Sequence, residues 1–143
     1  MRFLHPRRWR VAQVMGAQVA LATNEGSGIL ITVDPPENVP TASAFLEESR
    51  GWLKKQKAKL LKTYSPARLR DRPTLDAFAL EAELGGQKTW LDYYVTAQPG
   101  GGATVAARLL PDGLSELRRE AEKVAKSVTI TKRIVAPAPA KKR

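Results

Sequence analysis

A chain of 143 residues, 43% of them apolar, supplies one hydrophobic core and is too short for two comfortable ones. It contains no cysteine, which excludes disulfides, thiolate metal sites and a cysteine nucleophile, and leaves the redox compartment open. The net charge of +10 is concentrated at the ends, with Arg2, Arg7, Arg8 and Arg10 at one and Lys132, Arg133, Lys141, Lys142 and Arg143 at the other, while residues 11–131 hold 15 cations against 14 acids.

A groove shaped to follow a phosphate backbone carries its excess charge on the folded surface. Here the body is nearly neutral, so binding to nucleic acid or another anionic surface enters only as an alternative that acts through the basic termini. No apolar run is long enough to span a bilayer. Arg7-Arg8 ahead of Val11–Leu21, with Ala20-Leu21-Ala22 in small-x-small form, resembles an export signal whose cleavage would leave Thr23 first. Gln13, Gly16 and Gln18 dilute that stretch, and we read it as a first strand or hairpin arm of a cytoplasmic protein, with export as the alternative.

From Val19 the pattern becomes regular. Two runs of β-forming residues, Val19–Ala22 and Gly28–Val33, flank the polar loop Thr23-Asn24-Glu25-Gly26-Ser27 and predict a hairpin, which Asp34-Pro35-Pro36 stops by removing ladder donors. A helix is expected from Thr41, whose hydroxyl can accept from an unpaired amide of the first turn. Glu47 and Glu48 precede Lys54, Lys55, Lys57 and Lys59 in the order that suits the helix dipole, and the lysine run reads as a solvated face. Phe45, Leu46, Trp52, Leu53 and Leu60 make one apolar stripe, interrupted by Gly51.

A strand over Leu61–Leu69, broken at Pro66, leads to the most informative stretch, Leu75–Ala97. Gly85-Gly86 can supply the positive φ values of a two-residue turn, and that turn dictates a register. Leu84 faces Gln87, Glu83 faces Lys88, Leu80 faces Leu91 and Phe78 faces Tyr93, so a charge pair falls on one face and apolar pairs on the other. Trp90, Tyr94, Ala77 and Ala79 make the second face partly apolar too, which predicts a sheet covered at least in part on both sides. Gln98–Gly102 is expected to be a flexible loop, Ala103–Leu110 a strand, and Pro111-Asp112-Gly113 the opening of a second helix. In that helix Leu114, Leu117, Ala121, Val124 and Val128 face the sheet, and Arg118–Glu122 and Glu122–Lys126 can pair across one turn. Residues 1–131 thus read as a single α+β domain, and residues 132–143 as a disordered basic Ala/Pro/Lys tail.

The chain offers little for catalysis. His5, the sole histidine, has no serine, cysteine or second histidine at partner or ligand spacing. Gly100-Gly101-Gly102 lacks the lysine and following helix of a phosphate loop. We therefore expect no enzyme, no metal and no cofactor. The candidate partner-binding residues are Trp90 and Tyr94, which share a strand face and can stack a ligand or sit under a partner, together with Asp92 and Glu81. Packing beneath the second helix is the competing account of the two aromatics.

Pro6-Arg7-Arg8-Trp9-Arg10-Val11 resembles the Pro-x-x-Trp-x-Val opening of the PsbP-like superfamily. The Gly28–Val33 strand ending in prolines, the helix from Thr41, the Gly85-Gly86 hairpin and the C-terminal helix follow in that superfamily's order, over about residues 6–130. The group includes the extrinsic PsbP subunit of photosystem II, a Ran-binding nucleotide-release factor, DcrB-like proteins and the Eag chaperones of type VI secretion effectors. The resemblance implies an antiparallel sheet flanked by helices on both faces, an α/β/α sandwich. It also implies a non-enzymatic protein-binding or adaptor role, including that of a bacterial chaperone for a secreted or membrane partner. It carries over no functional residue, since no lipobox cysteine is present and the photosystem subunit's metal ligands find no counterparts.

Overall fold

The computed structural model describes residues 1–130, apart from the side chains of Arg72 and Pro73. Seven strands form one sheet: β1 (Arg10–Met15), β2 (Gln18–Ala22), β3 (Gly28–Asp34), β4 (Lys59–Leu69), β5 (Arg72–Leu84), β6 (Gln87–Gln98) and β7 (Gly101–Leu109). Their spatial order is β1-β2-β3-β7-β6-β5-β4, with every neighbouring pair antiparallel. Helix α1 (Ala42–Lys55) enters between β3 and β4, after a single 3-10 turn at Pro36–Asn38, and α2 (Leu114–Ser127) follows β7.

The register of the longest hairpin follows from two glycines. Gly85 and Gly86 take φ of 56° and 80°, which only residues without a Cβ adopt at low cost, and Glu83↔Lys88, Leu80↔Leu91 and Phe78↔Tyr93 pair as the turn requires. The stretch that resembles an export signal is also a hairpin. Gly16, at φ 57°, turns β1 into β2, and Val11 and Leu21 pair across it.

Neighbouring residues of β6 serve different helices. Tyr93 joins Phe78, Leu80, Leu91 and Val95 in a cluster with Ala42 and Leu53 of α1. Phe78 and Tyr93 stack with centroids 4.7 Å apart, and Phe45 of α1 meets both edge-on at 5.5 and 5.3 Å, geometries that match ring edge to ring face. Tyr94 instead joins Leu21, Ile29, Ile31, Val105 and Leu109, together with Leu117, Ala121 and Val124 of α2.

Four sequence expectations change. Leu60 belongs to β4 and not to the helical stripe, because α1 ends at Lys55 and Lys57 turns the chain at φ 57°, with the Ala58 amide donating back to the Leu53 carbonyl. Pro66 does not break the strand: β4 is an edge strand and absorbs the proline where its register shifts between Tyr64 and Ala67. The glycine triplet is not simply a flexible loop, since Gly101 and Gly102 open β7 and pair with Gln98 and Ala97. A Cβ on Gly102 would come within 2.6 Å of Val39 Cγ2, so the position needs its small residue for close packing. Finally, Arg118 bonds Asp92 on the sheet and not Glu122, whereas Glu122–Lys126 does form at 3.2 Å. The tail over 132–143 lies outside the described residues.

The N-terminal segment is built into this architecture. Trp9 is 0% exposed in the α2-side cluster and donates from Nε1 to Glu120 Oε1 at 2.9 Å. Arg8 bonds Glu116 and Glu120 at 2.8 and 2.9 Å, and Arg2 bridges to Thr129 through both backbone groups. Trp9→Ala should therefore cost about 3–5 kcal/mol in urea denaturation. A chain beginning at Thr23, without Trp9, β1 and β2, should fail to refold by circular dichroism.

Candidate functional site

Strand alternation brings the four sequence-derived candidates to one face. Trp90, Asp92 and Tyr94 alternate along β6, and Glu81 pairs directly with Trp90 across β5. That face carries α2, so the candidates differ sharply in access. Tyr94 is 4% exposed in the core, where burial first, then the Asp92 and Glu122 charges, pushes its phenol far above the ordinary range. The Asp92 side chain is 5% exposed and is gripped by Arg118, whose Nε and Nη2 donate to its two carboxylate oxygens at 2.9 and 3.2 Å.

The same guanidinium lies 4.2 Å from the Trp90 ring centroid, adding a cation–π contact to the ion pair. Trp90 meets Tyr64 with centroids 5.2 Å apart, and the Tyr64 hydroxyl donates to Glu81 at 2.6 Å. Lys88 reaches Glu81 at 3.9 Å, diagonally across the strands, although in register it stands opposite Glu83. Trp90 Nε1 is buried with no acceptor among the described residues. The cluster thus pins α2 to the sheet. Asp92 and Tyr94 are closed to a partner, and only Trp90 and Glu81 keep partial exposure.

The residue His5, discounted for lack of a partner, places Nδ1 2.6 Å from the Trp9 carbonyl oxygen and so helps to fix the N-terminal turn. Among the described residues no group of three or more acidic or imidazole side chains could hold a metal, and no helix is long and apolar enough to cross a membrane.

An open surface lies elsewhere, beside α1. This helix packs over β4 and β5, and along its other flank runs an apolar groove of about 460 Å³. Its floor is made of Leu30 and the small residues Ala20, Gly28 and Ala106, and its wall of Phe45 and Trp52. Trp52 is 46% exposed and Leu30 38%. Glu48, Ser49 and Arg108 are the polar side chains that line it besides the Tyr93 hydroxyl. Burial pushes that hydroxyl up to about 12, eased in part by its hydrogen bond with Ser49.

Sequence reasoning missed this groove because it is composed across five elements, β2, β3, α1, β6 and β7. Its one local sign is in α1: Phe45 and Trp52, seven residues apart, fall on one side of the helix, yet Phe45 packs on the sheet and Trp52 is left half open.

Geometry of this kind defines an α+β protein with a seven-stranded antiparallel sheet and two helices. Comparison with solved structures gives that architecture a specific counterpart. The chain is similar to the solution structure of the cyanobacterial PsbP (CyanoP) from Synechocystis sp. PCC 6803, with a TM-score of 0.54 and 17% sequence identity, over 87% of this chain and 83% of that one. The protein therefore has the PsbP-like fold. No family model and no curated protein matches the sequence.

Two outcomes test the electrostatics. Arg118→Ala leaves the Asp92 carboxylate buried without its partner and should cost about 2 kcal/mol, less than for a fully buried pair because the Arg118 side chain is 45% exposed. Arg118→Lys should not restore the loss, since an ammonium cannot make the two-pronged contact. Asp34 is the second case: burial, then repulsion from Glu48, holds its carboxyl above the usual range. The folded protein consequently binds that proton more tightly than the unfolded chain, so this contribution falls as pH rises through the folded pKa and recovers on acidification. Asp34→Asn should give a modest rise in Tm at pH 7 that vanishes below about pH 4, as read by thermal melts across pH.

Proposed function

We propose that the protein is a non-enzymatic protein-binding or adaptor domain of chaperone-like character, and that the groove beside α1 is its binding surface. The observation that carries this reading is the groove itself. A folded surface ordinarily covers an aromatic wall and an apolar floor, and here Trp52 and Leu30 stand open along one continuous trough. On our reading the fold is an α/β/α sandwich in which α2 covers one face and α1 covers only part of the other. The uncovered part, framed by Glu48 on the helix and Arg108 on the sheet, fits the apolar side of a protein segment with polar flanks. A role of this kind agrees with the interaction roles that the sequence resemblance implies.

The test is native capture by the full chain from a lysate of its own source, followed by affinity measurement on the captured protein. Leu30→Asp, which sets a charge on the groove floor, should weaken binding about tenfold or more without changing the far-UV spectrum. Equal binding by Leu30→Asp, or turnover of a substrate with no protein bound, would exclude the proposal.

A further inference from the structure

The two edges of the sheet are not alike. β4 carries Lys59, Lys62 and Arg68 together with Pro66, and its pairing shifts register at three places, all devices that discourage another strand from adding to an edge. β1, the opposite edge, has the sequence Arg-Val-Ala-Gln-Val-Met. It contains no proline and no charge after Arg10, all six residues are exposed, and β2 is its sole strand partner among the described residues. One bulge, at Ala12, interrupts it. The bulge sets Val11 and Val14 on the same face, opposite Leu21 and Val19, and turns Gln13 and Met15 to the other. Val11, Val14 and Met15 are 47%, 66% and 63% exposed, so this edge offers apolar side chains on both faces and an unpaired row of backbone groups between them.

We propose that β1 accepts an extended segment of another protein as an eighth strand, and that the segment alternates apolar with acidic residues. The chemistry of the occupant follows from charge. The first 24 residues contain no acid, and Arg7, Arg8 and Arg10 lie within or just before the edge, whereas Arg2 is held at Thr129. Arg8 is committed to Glu116 and Glu120, but Arg10 bonds the neutral Asn24, and Arg7 has no ion pair among the described residues. An incoming strand with carboxylates gains from that field, while backbone pairing supplies the bulk of the contact. A second copy of this chain fits poorly. It would bring the same arginines face to face, and a six-residue strand contact falls far short of the roughly 1,000 Å² that a stable dimer needs. On one face the edge adjoins the groove beside α1, because Gln13 and Met15 share a small pocket with Ala20 and Leu30 of the groove floor, but the backbone row that pairs the segment belongs to β1 alone.

The probe is a capped eight-residue peptide alternating valine and glutamate, added to the isotopically labelled full chain. The readout is amide chemical shift and hydrogen exchange. The expected result is shift changes centred on residues 10–15 and slower exchange of the outward β1 amides. Binding should be about tenfold weaker for the valine–lysine peptide and lost for a valine–glutamate peptide N-methylated at alternate amides. Val14→Lys, a change at an exposed site that imitates the lysines of β4, should abolish the response while leaving the remaining spectrum in place. The inference is overturned if β1 does not respond, if the N-methylated peptide binds equally well, or if changes cluster around Trp52 instead. Concentration-dependent protection of β1 without peptide would also overturn it, in favour of a second copy.

Discussion

Gly85 and Gly86 hold φ values that a side chain would oppose, and the pairing of β5 with β6 follows from that turn. A slip of one residue would exchange Tyr93 with Tyr94. The first is shaped to meet Phe45 and Phe78, the second to lie under Leu117 and Val124, and neither environment accommodates the other's neighbours. Asp92 would then leave the face that Arg118 reaches, so the ion pair that fastens α2 also depends on the same turn.

Local periodicity made much of this legible from the residues alone. The hairpin register, the Thr41 cap, which accepts from the Ala44 amide at 3.1 Å, and the inward positions Leu117, Ala121 and Val124 all rest on interactions between near neighbours in the chain or across one tight turn. Pairings set by distance in space were not legible. Arg118 had a reasonable local partner in Glu122, one helical turn away, yet it takes Asp92, twenty-six residues back, because a carboxylate under the helix needs a cation more than a solvated one does. The end of α1 is hidden for a related reason, since Lys57 in a left-handed conformation is a stop signal that residue type does not announce.

The candidate site illustrates the same limit. Trp90, Asp92, Tyr94 and Glu81 do share a face, as alternation requires, but a face says nothing of what lies above it. Here α2 and its arginine lie above it. The apolar groove is the reverse case: Ala20, Gly28 and Ala106 are unremarkable in sequence, and only the sheet order brings them together beneath Trp52. Small residues on strands read as weak strand formers, whereas assembled they form a trough.

The N-terminal segment closes on α2, and this arrangement bears on how the protein is made. Trp9 must find Glu120, and Arg2 must find Thr129, residues that leave the ribosome only after all seven strands have been synthesised. Until then the arginine-rich N-terminal segment has no docking surface. The nascent chain thus keeps Trp9 exposed until α2 has emerged, and the core that they share can be sealed only then.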